Sequence, residues 1–178
     1  MRERLDIMAF DPGGTTGWTH FGIRRNFNEK IPVDFCWSAP PRVADHILGQ
    51  GQIDEPMHYR ALWELLEERE PDIVVCERFD NSGNEFAKIV SAEYIGVIKL
   101  WCGLHSKMLI MQGADVMTFS VDKIGPLGLK VLPAGWVHMN DSMCHMLYFL
   151  ANGTRSIFPE IQMYVLREIK RVMQTGIK

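Results

Sequence analysis

The sequence predicts an α/β layer fold: a mixed central sheet with helices packed on it. Three observations carry this. Short apolar runs at residues 5–11, 73–76 and 108–111 read as strands. Striped or long apolar segments at 55–70, 86–105, 138–150 and 159–173 read as helices. After a first hairpin the two kinds of element alternate.

The run at 5–11 is apolar on both faces, as a central strand requires. It ends in Asp11, and Pro12-Gly13-Gly14 follows at once. Proline stops the ladder and the glycines allow a sharp reversal. Residues 17–23 and 33–38 read as two further strands, with the polar stretch 24–30 turning between them. Pro40-Pro41 opens a glycine-rich loop. In the helix at 55–70, Tyr59, Leu62, Trp63 and Leu66 form one stripe, acids line the other, and Pro71 ends it. The strand at 72–76 runs into Glu77, and a polar loop covers 80–84. The helix at 86–105 carries Val90, Tyr94, Val97 and Trp101 on one face, which serves as core or as an interface. A strand follows at 108–111, and 115–133 shows only scattered Gly, Pro and Lys. Helices at 138–150 and 159–173 close the chain, the last of them basic.

At 178 residues and 47% hydrophobic content, the expectation is one domain, 1–178, with a substantial core. No apolar run approaches the roughly 20 residues that span a bilayer. The first residues are too polar for a signal peptide, so an intracellular protein is expected. Cys36, Cys76, Cys102 and Cys144 are far apart and read as reduced, mostly buried thiols. The net charge of −3 does not mark a nucleic-acid binder. Its distribution is uneven. Residues 53–85 are acidic, whereas Arg155, Arg167, Lys170, Arg171 and Lys178 make the tail basic, and Arg24, Arg25 and Lys30 form a second basic group. These clusters stand for a duplex-binding face or for ordinary solvated surface.

Three acids stand out by position. Asp11 and Glu77 end strands, and Asp141 lies early in a helix. Taken singly, Asp11 reads equally as a turn former, Glu77 as a partner of Arg78, and Asp141 as part of a helix cap. If the helix packs against the strand ends, the three converge. Close carboxylates repel unless cations lie between them. Such hard oxygen ligands suit Mg²⁺ or Mn²⁺, and two ions clamp both reacting oxygens in phosphodiester hydrolysis. His138 precedes Asp141 by three residues and shares its helix face, as ligand or as orienter of the attacking water. His138, Asp141 and His145 offer an alternative Zn²⁺ set.

Asp11-Pro12-Gly13 with Thr16-Gly17-Trp18 resembles the first motif of RuvC-type Holliday junction resolvases, especially their phage relatives. Residues 73–77 resemble the family's second acidic strand, 77–96 its loop and long helix with Asn84, and His138-Met139-Asn140-Asp141 its closing motif. The resemblance spans residues 5–150. It implies an RNase H-like fold with helices on both faces of the sheet, a nuclease using two Mg²⁺ or Mn²⁺ ions, and a homodimer acting on branched DNA. It makes Asp11, Glu77, His138 and Asp141 the metal-binding and catalytic residues. Phe79 or Phe86 takes the junction-opening wedge role unless both are core. Asn84, Lys88, Lys123 and Lys130 are the remaining DNA-contact candidates.

Substrates within this reading are four-way junctions, flaps, forks or RNA–DNA hybrids. Two other classes stay open. Asp11-x-Gly13-Gly14-Thr15 also resembles the first phosphate loop of the actin and hexokinase superfamily, though no second such loop is evident. A non-catalytic nucleic-acid-binding module on the same fold is the other.

Overall fold

The structure is a computed structural model and describes residues 4–24, 42–54, 58–78, 85–129, 135 and 137–175. Its strands are β1 (Arg4–Asp11), β2 (Thr16–Arg24), β3 (Ile47–Ile53), β4 (Ile73–Glu77) and β5 (Met108–Gln112). Its helices are α1 (Tyr59–Arg69), α2 (Glu85–Leu104), α3 (Val116–Ile124), α4 (Val137–Tyr148) and α5 (Pro159–Thr175). The sheet order is β3-β2-β1-β4-β5. The pairs β1/β2 and β2/β3 are antiparallel, whereas β4 and β5 run parallel to β1. The expected mixed sheet and α/β class are what the chain adopts.

Helices cover both faces, and strand alternation decides which residue joins which core. From β1, Leu5, Ile7 and Ala9 point to one side and pack with Ile73, Val75 and residues of α3, α4 and α5. Met8 and Phe10 point to the other side and pack with Val74, Cys76 and residues of α1 and α2. Val90, Tyr94 and Trp101 are fully buried in this second core with Val97 packed against it, so that face of α2 is core.

Two elements differ from the sequence expectation. The glycine-rich stretch after Pro41 contains an edge strand, β3, because Trp18 of β2 lies over it. A Cβ on Gly51 would come within 2.9 Å of the Trp18 indole, and one on Gly49 within 3.3 Å. The glycines are the space that the indole occupies. The second is α3, inside the stretch that showed no element. Its Ser120 is fully buried and donates to the Cys144 carbonyl of α4 at 3.0 Å, a polar tie that interrupts the apolar period. The strand expected at 33–38 and the loop at 80–84 lie outside the described residues. Cys76, Cys102 and Cys144 are free and buried, and Cys36 lies outside the described residues. Among the described residues no helix is long and apolar enough to cross a membrane.

Candidate metal centre

Period-2 alternation places both strand-end acids on the α4 side. Asp11 continues Leu5, Ile7 and Ala9, and Glu77 continues Ile73 and Val75. The parallel register sets Phe10 level with Cys76, so the next residues, Asp11 and Glu77, end their strands side by side. On the other flank Gly17 of β2 faces Asp11 across the ladder.

Gly17 is what lets α4 reach this point. A Cβ there would stand 1.9 Å from the His138 carbonyl oxygen and 2.6 Å from the Met139 nitrogen. The first turn of α4 therefore rests directly on the strand backbone beside Asp11. Two side-chain ties fix the helix there. Gln52 of β3 accepts from the Met139 N–H at 3.3 Å and donates to the Gly135 carbonyl at 3.1 Å. The Met139 N–H is one of the first-turn donors that a helix cannot satisfy internally. Thr19 and Ser142 share a buried hydroxyl bond of 2.9 Å.

Delivered this way, His138 Nδ1 lies 2.6 Å from Asp11 Oδ2. Asp11, His138 and Asp141 each present one ligand atom, all within 4.8 Å of one another. Asp11 is 7% exposed, but the His138 side chain is 41% exposed, so the cluster opens to solvent. Asp141 lies in the second turn of α4, beyond the reach of a cap. Glu77 stands outside this threefold cluster, against Asp11. His145, one turn beyond Asp141, is not a member either. It is fully buried, with Nε2 3.3 Å from Glu77 Oε2 and Nδ1 2.9 Å from Gln112 Oε1. The Zn²⁺ set of His138, Asp141 and His145 is therefore not the one that forms, because His145 is turned to Glu77.

The electrostatics fit a cation. Burial pushes the Asp11 carboxyl up to about 7, and its bond with Glu77 adds to this. Glu77 shifts down, since bonds from His145 and Asp11 outweigh the burial that would raise it. His138 shifts up through its bond to Asp11. Burial also raises Asp141. Crowded carboxylates thus hold a proton near neutrality, a demand for positive charge that hard divalent ions meet through this oxygen and imidazole donor set.

The sign of the pH dependence follows. Between pH 6.5 and 8.5 Asp11, raised to about 7, loses a proton that the folded chain binds more tightly than the unfolded one, and the raised His138 acts in the same direction, so metal-free stability falls as pH rises. Glu77 and the buried, lowered His20 and His46 titrate below this window. Melting in EDTA should shift to lower temperature across it, and Mn²⁺ should restore more at pH 8.5 than at 6.5, because binding displaces those protons. A melting temperature flat with pH and equal Mn²⁺ stabilisation at both ends would count against Asp11 as a metal ligand.

The first turn closes on itself: Thr16 Oγ1 accepts from the Gly13 N–H and donates to the Gly13 carbonyl, both at 3.4 Å. That N–H is not presented to a phosphate. Gly14 has open space where a Cβ would stand, so Gly17, not Gly14, sets the approach to Asp11. Gln52, Gln112 and the positioning ties of α4 escaped sequence reading, since an isolated glutamine or hydroxyl carries no signal. Gly17 did carry one: a glycine inside a strand marks a close approach of another backbone.

Of the DNA-contact candidates, Lys123 bonds Asp122 at 2.7 Å, lies over the Phe119 ring and bonds the Phe119 carbonyl. Phe79, Asn84 and Lys130 lie outside the described residues. Phe86 and Lys88 fall in the first turn of α2, where the backbone alone is described.

No protein-family model matches the chain, and no curated protein matches it significantly. Among solved structures it is similar to RuvC from Thermus thermophilus. The TM-score is 0.55 at 16% identity, over 84% of this chain and 98% of that one. A structure of T. thermophilus RuvC in complex with Holliday junction substrate gives 0.54 at 13% identity, over 81% and 92%. These likenesses show the fold, which is RNase H-like.

Proposed function

We propose that this chain is a single-domain, divalent-metal-dependent endonuclease that cuts branched DNA, with four-way junctions as its principal substrate. The observation that carries the reading is the convergence of Asp11, His138 and Asp141, with Glu77 against Asp11, at the open end of an RNase H-like sheet. The RuvC structure with a Holliday junction, which shares this fold, supports the choice of substrate.

Asp11, Glu77, His138 and Asp141 would hold two Mg²⁺ or Mn²⁺ ions. When bound, such ions supply charge stabilisation at the attacking and leaving oxygens of a phosphodiester. Asp11 is the common ligand, since it already touches both His138 and Glu77. His138, whose side chain is 41% exposed, faces the incoming strand and orients the attacking water. The segment that follows Glu77 in sequence is assigned to the junction through Phe79, Asn84, Phe86 and Lys88, with Lys123 and Lys130 as further contact candidates. A homodimer would present two sites to two strands, and the exposed Ile89, Leu100 and Leu104 of α2 give it an apolar face.

A substrate panel tests this: a synthetic four-way junction, a flap, a fork, a linear duplex and an RNA–DNA hybrid, each with Mg²⁺, Mn²⁺ or EDTA. The junction should be cut with either metal and spared in EDTA, with linear duplex resistant throughout. Cleavage confined to the hybrid would move the function to that substrate. Failure to cut any branched DNA in either metal would overturn the proposal.

A further inference from the structure

Glu77 is the one acid of the site held from behind. His145 is fully buried between it and Gln112. Gln112 is the strand neighbour of Glu77 in the β4/β5 register, is itself 7% exposed, and its carbonyl accepts from the Arg78 N–H at 2.5 Å. The three side chains therefore come from β4, β5 and α4, and each is fixed by an element of the sandwich.

We infer that His145 and Gln112 are positioning residues that clamp Glu77 in its metal-binding orientation. The inference rests on the metal-nuclease reading. A carboxylate oxygen only accepts, so Nε2 carries a hydrogen toward Glu77. A neutral ring then takes its second bond from the Gln112 amide nitrogen, and a charged ring gives one to the amide oxygen. The amide serves either by turning over, so the clamp does not depend on the ring's charge. With Oε2 engaged from behind, the other carboxylate oxygen is left for Asp11 and its ion. Partners of this kind orient metal ligands, and their loss typically weakens metal binding tenfold to a hundredfold.

Two isosteric variants separate this role from simple packing. Glutamine at 145 places an amide N–H where Nε2 stands, whereas asparagine places it only where Nδ1 stands. Mn²⁺ binding to the full chain without DNA, measured by calorimetry, should therefore stay within about threefold of wild type in His145→Gln and weaken about tenfold to a hundredfold in His145→Asn. Gln112→Leu, which frees the ring to rotate, should weaken it about tenfold and serves if the position 145 variants do not fold. The Mn²⁺ concentration for half-maximal cleavage should rise in parallel, with KM for the junction unchanged. Wild-type affinity in both His145→Asn and Gln112→Leu would overturn the clamp while leaving the metal site standing. So would equal weakening in His145→Gln and His145→Asn with matching losses of melting temperature in EDTA. A wild-type chain that does not bind Mn²⁺ would instead sink the metal reading, and the clamp with it.

Discussion

Asp11→Asn is expected to abolish DNA cleavage while leaving the metal-free protein at least as stable as wild type at pH 8. The two effects share one cause. Asp11 is buried, and burial with the neighbouring Glu77 pushes its carboxyl up to about 7. At pH 8 the wild-type chain carries a charge there that its surroundings disfavour. Asparagine removes that charge, keeps an oxygen to accept from His138 and offers an N–H to Glu77. The melting temperature in EDTA should therefore equal or exceed that of wild type at pH 8, and the two should draw together at pH 5.5, where Asp11 holds a proton. Cleavage should fall by about three orders of magnitude or more, since the ion's charge stabilisation is worth several kcal/mol and each 1.36 kcal/mol is tenfold in rate. Mn²⁺ should also stop raising the melting temperature. A variant that melts well below wild type in EDTA at pH 8, or that still cleaves at wild-type rate, would contradict this account of Asp11.

Gly17→Ala is expected to cost both stability and activity, although the residue carries no chemistry. A Cβ at this position meets the His138 carbonyl at 1.9 Å and the Met139 nitrogen at 2.6 Å. These are backbone atoms, so no side chain can swing aside. The first turn of α4 must lift from β2, straining the Gln52 and Thr19–Ser142 ties. Overpacking of this kind costs about 1–3 kcal/mol or more. The lift also carries His138 away from Asp11, and a displacement of about 1 Å from a remote change can cost a hundredfold in rate. Thermal melting and junction cleavage should both fall, while Gly14→Ala, with open space around its Cβ, should leave both near wild type. Equal behaviour of the two alanine variants would mean that α4 is not held against Gly17.

How much of this was legible in the sequence depended on what each residue does there. Strands buried on both faces are apolar along most of their length, so β1 and β4 were readable, and with them the acids that end them. The i, i+3 spacing of His138 and Asp141 put both on one helical face, where the structure has them. β3 was unreadable because its two glycines answer to Trp18 on the neighbouring strand, and only the folded pair explains them. In α3 the buried Ser120 bonds to α4 and breaks the apolar pattern that announces a helix. The same limit hid Gln52, Gln112 and the turn of His145 toward Glu77, since their partners are distant in sequence.

Asp11 and His138 are 127 residues apart. A ribosome releases β1 and β4 long before it releases α4. The partly synthesised chain therefore holds Asp11 and Glu77 of the cluster but neither His138 nor Asp141. Assembly of the cluster waits for the docking of a late helix onto early strands. Any fragment truncated before α4 lacks His138 and Asp141 altogether. The order of synthesis thus leaves the cluster of Asp11, His138 and Asp141 incomplete until most of the chain has emerged.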